Sequence, residues 1–194
     1  MYDEQDFIEN IIPHRLGMIE LMLFALEMRQ AIVPKKLTVY IDDKPYFQGL
    51  ETAFTNPAIE AGIINCRAML EFLGLRINKN NPSVLETRPS RKYADDMHID
   101  DFKNADGVAL EKVTPDKVRR LSIPDREKGE KAIARLLHIS DKEIAHCTIG
   151  RSGEDDGTDI ELLFIGANGI RALTVSYFYI PLGLKPPENL IKSR

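Results

Sequence analysis

Apolar residues recur every three or four positions along much of this chain, which is the spacing of an amphipathic α-helix. The pattern covers four stretches: 6–30, 57–75, 125–147 and 159–179. Pro13 lies within the first stretch and predicts either a kink or the true start of that helix. Asn56 and Pro57 predict the N-cap and the first position of the second helix, and Gly74 predicts its end. The chain is therefore predicted to be mainly α, a bundle of four to five helices.

The remaining sequence predicts a small hairpin and an irregular insert. Two β-prone runs, 37–41 and 46–48, flank a turn rich in Asp and Pro. A lone hairpin is only marginally stable, so we expect this one to pack against helices. Residues 76–124 have the weakest periodic pattern and predict a loop-rich insert, with a short helical turn at 114–116. No internal repeat divides the chain, so 1–194 is predicted to be a single domain.

The fourth stretch is apolar on nearly every side, which raises the question of a membrane span. Arg171 is the only charged residue within 162–184. A central arginine and the nearby Pro181 both weigh against a span, because a charge is costly within a bilayer. A helix buried in the bundle explains the same pattern. We expect Arg171 to pair with Glu60, Glu71 or another carboxylate.

Composition and charge narrow the class of protein. The chain is 43% hydrophobic and 29% charged, which is typical of a folded domain. Its net charge of −4 argues against nucleic-acid binding driven by overall charge. Two cysteines cannot make a disulfide scaffold, and the acidic start does not resemble a signal peptide. We therefore expect a cytoplasmic protein without a membrane partner. The apolar excess of the fourth helix predicts a homodimer that buries part of it or of the first helix.

One face of the third helix carries the candidate chemistry. Counting about 100° per residue from Ile133, four polar residues lie between about 140° and 220°: Arg135, His138, Lys142 and His146. The opposite, core-facing side is predicted to contain five residues: Leu136, Leu137, Ser140, Ile144 and Cys147. The cations would bind a phosphate, and a histidine whose pKa lies near neutral pH would transfer protons. A solvated polar face explains the same pattern without any ligand.

The same helix carries a resemblance to a known family. The run 135–148 resembles the signature segment of the HEPN superfamily, and Asp141-Lys-Glu-Ile-Ala-His146 is similar to its N/D-K-x-x-A-H form. HEPN domains are small helical bundles that include many RNases of toxin–antitoxin and antiphage systems. The likeness covers mainly 126–180 and implies a catalytic role for His146, with Asp141 as its polar neighbour. Ser140 stands where the motif has arginine, which favours the non-catalytic members.

Two functional hypotheses follow from these observations. The first is a non-catalytic HEPN-like binding or dimerisation module, whose partner is a protein or RNA. The second is a metal-independent endoribonuclease, in which His146 transfers protons and Lys142 contacts phosphate, while Arg135, His138 and Asp141 bind the ligand. Neither hypothesis requires a cofactor. No metal site is predicted, because the His98–Asp101 cluster lacks a second histidine group and is interpreted as surface acid.

Overall fold

Helices make up most of the described chain. The computed structural model describes residues 3–31, 36–89, 96–121, 126–141 and 158–189. Its helices are α1 (Ile12–Ala31), α2 (Thr52–Leu73), α3 (Pro115–Arg120), α4 (Arg126–Ile139) and α5 (Thr158–Thr174). Its strands are β1 (Lys36–Ile41), β2 (Lys44–Leu50), β3 (Leu75–Ile77) and β4 (Leu85–Thr87). The predicted mainly α fold with a small hairpin is confirmed.

The regular part of the first helix begins at Ile12, so Pro13 lies in its first turn. Proline has no N–H group to donate, and the chain immediately before it departs from regular α-helical hydrogen bonding. Upstream, the chain winds through a short α-helical turn, Glu4–Asp6, and a π-helical segment, Phe7–Ile11. The N–H of Ile12 donates to the carbonyl of Phe7 across the wide π turn. Helical residues are thus continuous from Glu4 to Ala31, so Pro13 does not mark the start of the helix, and the π-helical segment is a distortion immediately before it.

Helix α2 begins earlier than its sequence signals predict. Asn56 is not the N-cap, because the helix already starts at Thr52 and Pro57 lies inside it. The carbonyl of Glu51 accepts the N–H of Phe54 at 3.0 Å and that of Thr55 at 2.9 Å, which starts the helix directly after β2. The predicted end is confirmed. Gly74 has a φ of 88°, a left-handed conformation that favours glycine, and its N–H caps the carbonyls of the last turn.

Strands β1 and β2 form the predicted hairpin, but it packs against the helices less than expected. Asp42 and Asp43 make its two-residue turn, both with positive φ. A register shift between Val39 and Tyr40 marks a bulge. Strand β2 contacts α2, yet none of the strand residues is buried. The hairpin therefore projects from the bundle as a largely solvent-exposed arm.

The insert is more ordered than its sequence pattern predicts. Strands β3 and β4 pair antiparallel, and α3 begins at Pro115 with the hydroxyl of Thr114 accepting the N–H of Lys117. The short helical turn predicted at 114–116 is thus confirmed. Seven of the described apolar insert residues are buried in the core: Leu85, Ile99, Phe102, Leu110, Val113, Val118 and Leu121. They anchor the insert to the hydrophobic core.

Three buried phenylalanines and the half-buried Phe7 form an aromatic cluster at the end of the bundle where the first helix begins. Phe102 of the insert packs edge-on against Phe178, with ring centroids 5.0 Å apart, and against Phe72 at 5.9 Å. Phe7 contacts both Phe72 and Phe102. Edge-to-face pairs of this kind add stability beyond the area that they bury. The cluster joins the π-helical segment, α2, the insert and the end of the last helix.

The last helix is buried within the chain, as the sequence predicts. Leu163, Ile170 and Leu173 belong to the hydrophobic core, and π-helical residues Val175–Tyr179 extend the helix to just before Pro181. None of the helices in the described part of the chain combines the length and apolar character that a membrane span needs. Its central charge has a carboxylate partner, Glu20 of α1, whose Oε1 accepts from Arg171 Nη1 at 2.9 Å. Arg171 Nη2 also donates to the carbonyl of Pro187.

Replacing Glu20 with glutamine should destabilise the protein by about 2–3 kcal/mol. The Glu20 side chain is 10% exposed and that of Arg171 is 25% exposed, so the variant leaves a largely buried cation without a carboxylate. Urea unfolding measures the loss. Lys185→Ala is the control, because it breaks the exposed pair with Glu188, and a surface pair contributes at most about 1 kcal/mol. Equal unfolding midpoints for the two variants would contradict a structural role for the Glu20 pair.

Candidate functional site

The polar face predicted on the third helix lies on α4, which the structure describes up to residue 141. All three described members of the predicted core-facing side are buried: Leu136, Leu137 and Ser140. Arg135 and His138 lie on the other side and are half-buried. Lys142 and His146, the predicted phosphate contact and proton-transfer residue, lie outside the described residues. The structure therefore places part of the candidate site and brings Arg135 and His138 together.

Arg135 is held by a carboxylate from the neighbouring helix. Its Nε donates to Asp159 Oδ1 at 2.8 Å, and its Nη2 donates to Oδ2 at 2.6 Å. This two-pronged geometry is the strongest that an arginine makes with a carboxylate. The pair fastens the middle of α4 to the first turn of α5. The guanidinium donors that would bind a phosphate are therefore already used by Asp159 of the same chain.

A shallow cleft of about 190 Å³ opens beside His138. Its lining comes from the β3–β4 loop, α4 and α5: Pro82, Ser83, Lys131, Arg135, His138 and Leu162. The Nδ1 atom of His138 is buried and makes no hydrogen bond with the described residues. The cleft thus combines one exposed lysine with an imidazole that can still accept or donate a hydrogen bond.

Ser140 occupies the position at which the HEPN motif has arginine. It is 2% exposed and lies on the same side of α4 as Leu136 and Leu137. A long cationic side chain at this position would enter the core, where an unpaired charge is costly. The helix geometry therefore directs this position away from any cleft on the polar face.

Asp141 takes part in a chain of ion pairs that continues across α2. Its Oδ1 lies 2.6 Å from Arg67 Nη1, and Arg67 Nε lies 3.0 Å from Glu71 Oε1. Glu71 Oε2 in turn lies 3.0 Å from Nη1 of Arg88. Arg67 and Glu71 lie four residues apart on α2, a spacing at which helical side chains meet. Asp141 thus contacts a cation of α2 rather than Arg135 or His138.

The chain of ion pairs ends at a larger cavity of about 370 Å³. The π-helical segment, the start of α1, the end of α2 and the residues before Ile99 surround it. Its apolar wall consists of five main residues: Phe7, Ile11, Ile12, Phe72 and Met97. Its polar lining consists of five others: Arg15, Glu71, Arg88, Asp96 and His98. An apolar cavity with a few converging polar groups is the usual form of a small-molecule site.

Arg15 is the cation that reaches this cavity from α1. Its Nη1 donates to Asn65 Oδ1 of α2 at 3.1 Å. No carboxylate of the described residues lies within ion-pair distance of it. Burial lowers the pKa of Arg15 from its ordinary value, because removal from water disfavours the charged form. The guanidinium nevertheless stays charged at neutral pH.

Neither metal nor thiol chemistry has a site among the described residues. No three His, Cys, Asp or Glu residues of that part of the chain lie close enough to hold a metal ion. The His98–Asp101 cluster is not simply surface acid, since His98 is 2% exposed and its backbone N–H donates to Asp101 Oδ2 at 2.8 Å. Burial raises the pKa of the Cys66 thiol, so it remains protonated and unreactive.

Sequence analysis did not identify Arg15 or Arg88 as site residues. They lie 73 positions apart in the chain, and no local motif connects them. The structure brings both to one cavity through the packing of α1 against α2 and the return of the chain after β4. Comparison with known proteins adds no further residue, because no protein-family model, curated protein or solved structure matches this chain.

Proposed function

We propose that this chain is a non-catalytic, HEPN-like helical binding module that acts as a homodimer. The observation that carries the non-catalytic part is the burial of Ser140 on the core-facing side of α4. The position that would supply the motif's arginine cannot present a cation to RNA without disrupting the core. On the opposite side of the same helix, Arg135 is already paired with Asp159. Both features favour binding over phosphodiester chemistry.

Incubation with single-stranded RNAs of varied sequence tests the non-catalytic role. We expect no cleavage by the wild-type protein, with or without EDTA. Ser140→Arg should lower the stability by about 2–4 kcal/mol rather than create activity, because it buries a charge. The contrary result is EDTA-resistant cleavage that disappears in His146→Ala and decreases in Lys142→Ala. That outcome would establish the endoribonuclease and remove the present proposal.

The hairpin is the surface that we assign to the dimer. The large apolar residues of α5 are either buried or half-buried, and none of them is among the exposed large apolar residues. Six large apolar side chains of the hairpin are instead exposed: Val39, Tyr40, Ile41, Tyr46, Phe47 and Leu50. Contiguous exposed apolar residues of this kind typically mark an interaction surface. A two-stranded hairpin also needs further strands or a packed face to be stable.

A second copy of the chain fits this surface. Among the described residues the sheet ends at β1, whose outer edge is unpaired and contains no charge or proline between Leu37 and Ile41. Such an edge is a template for another strand. A two-fold axis pairs β1 antiparallel with itself. The basic end at Lys36 then meets the acidic turn at Asp42 and Asp43 of the other copy, so the charges are complementary.

Sedimentation at about 50 µM, a concentration suited to micromolar affinity, tests the dimer. We expect a dimer for the wild type and a monomer for Tyr40→Lys, since a lysine on a strand edge blocks further pairing. Val108→Lys is the matched control, because Val108 is 61% exposed and Tyr40 is 62% exposed, but Val108 lies in the insert. It should remain a dimer. A monomeric wild type, or a dimeric Tyr40→Lys variant, would refute the hairpin interface.

We place this module in the cytoplasm as part of the same proposal. Cys66 is a free thiol buried in the core. A reducing compartment keeps such thiols free, whereas secreted proteins tend to pair them. The buried thiol supports a cytoplasmic protein.

A further inference from the structure

The cavity of about 370 Å³ at the start of α1 has an uneven distribution of charge. Arg88 and Glu71 neutralise each other at one side, at 3.0 Å. Asp96 has an interaction as well and is not free. Arg15 differs from Arg88, because its Nη1 donates to the neutral amide oxygen of Asn65. The cavity therefore contains one cation whose charge no contacting carboxylate balances among the described residues.

The guanidinium of Arg15 is suited to an anion. It has five N–H donors, of which one is used by Asn65. A half-buried charge with so few partners is unfavourable until a complementary group reaches it. A carboxylate accepts two parallel hydrogen bonds from an arginine, which is the most favourable geometry available to it. The cavity thus has a site for a single carboxylate.

The rest of the lining defines the ligand further. Arg88 is already paired with Glu71, and Asp96 adds a carboxylate to the lining, so the cavity offers a polyanion such as a polyphosphate no second unpaired cation among the described residues. Phe7, Phe72 and Met97 offer apolar surface instead. A volume of about 370 Å³ lies at the lower end of small-molecule sites. These features favour a ligand with one negative charge and an apolar body of modest size.

We propose that this cavity binds a small monocarboxylic acid, whose carboxylate pairs with Arg15 and whose apolar body lies against Phe7, Phe72 and Met97. This proposal rests on the proposed binding role and names the class of its ligand. The π-helical segment supports it, since the wide turn at Phe7–Ile11 contributes two residues of the apolar wall. Segments of this kind occur frequently at functional sites.

Isothermal titration calorimetry of the full chain with octanoate, octanol and octylamine tests the proposal. We expect octanoate to bind with a Kd of about 10–100 µM, in the range of small ligands with one ion pair. Octanol and octylamine should bind at least about tenfold more weakly. Arg15→Gln should weaken octanoate binding at least about tenfold, while Arg29→Gln, an exposed arginine of the same helix, should not.

Thermal unfolding separates a lost ligand from a lost fold. Octanoate should raise the Tm of the wild type but not that of Arg15→Gln. Met97→Trp is a second variant that fills the apolar part of the cavity and should also abolish binding. Equal affinity for octanoate and octanol, or an unchanged affinity in Arg15→Gln, would overturn the proposal. Absence of any octanoate binding would overturn it too, while a dimer that does not cleave RNA would leave the proposed module in place.

Discussion

Replacing Leu137 with aspartate should abolish the cooperative fold. Leu137 is 4% exposed and belongs to the hydrophobic core on α4. The variant loses about 2 kcal/mol of apolar burial and buries a carboxylate that has no partner, which costs several kcal/mol more. Together these losses reach about 5 kcal/mol or more, comparable to the whole stability of many domains. Far-UV circular dichroism should show a loss of helix, and gel filtration should show an expanded or aggregated chain.

Lys131→Asp is the matched control for this prediction. Lys131 lies on the same helix but is exposed, and its replacement should change the free energy of unfolding by less than about 1 kcal/mol. The comparison therefore holds the helix and the introduced residue constant while the burial changes. A Leu137→Asp variant that unfolds at the wild-type urea concentration would show that this side of α4 does not face the core.

Replacing Gly62 with alanine should destabilise the protein by about 3 kcal/mol, an effect of the size expected for overpacking. An alanine in place of a helical glycine ordinarily stabilises a helix by about 0.5–1 kcal/mol. Here a Cβ atom at position 62 would overlap the Cβ of Met22 and lie 3.0 Å from the carbonyl oxygen of Met18. Since neither atom is the end of a flexible side chain, α1 and α2 must separate. Urea unfolding monitored by circular dichroism measures the loss.

Gly169→Ala should change the free energy of unfolding in the opposite direction in the same experiment. A Cβ atom at position 169 of α5 would lie 3.4 Å from Ile133 Cδ1, an ordinary van der Waals contact. This variant should therefore gain about 0.5–1 kcal/mol, because alanine restricts the unfolded chain more than glycine does. A stabilising effect of Gly62→Ala would contradict the close packing of α1 against α2 at this position.

The helices were predictable because each buries a continuous stripe of apolar side chains, which leaves a regular period in the sequence. The end of α2 was predictable as well, since Gly74 supplies a left-handed cap. Its start was not. Pro57 is a strong local signal for a first turn, but the helix extends back to Thr52 because the carbonyl of Glu51 satisfies the next N–H groups directly after the hairpin. The end of the preceding strand therefore determines where α2 begins, and the local signal at Pro57 does not.

The order of the insert could not be predicted from its pattern. Strands β3 and β4 contain three residues each, too few to establish an alternation of apolar and polar positions. Phe102 anchors the insert, but its aromatic partners Phe72 and Phe178 lie 30 and 76 positions away in the chain. Contacts at such separations leave no periodic signal within the insert itself.

Some residues of the candidate site were also predictable from the sequence, and others were not. The helical period alone places Ser140 with the core residues, and the structure confirms this. The partner of Arg135 was not predictable, since Asp159 lies on another helix. Arg15 did leave a signal. Counting about 100° per residue from Ile12 places it at about 300°, between Met22 at about 280° and Ile19 at about 340°. A cation within the apolar arc of a helix marks a buried charge that needs a partner.

The pair of Glu20 and Arg171 also affects when the fold can be completed during synthesis on the ribosome. Helices α1 and α2 are neighbours in sequence and can pack while synthesis continues. Glu20 of α1, by contrast, pairs with an arginine that lies 151 residues later in the chain. Until α5 has been synthesised, this carboxylate lacks its ion pair with Arg171. The contacts of α1 are therefore complete only after the chain has been synthesised as far as α5.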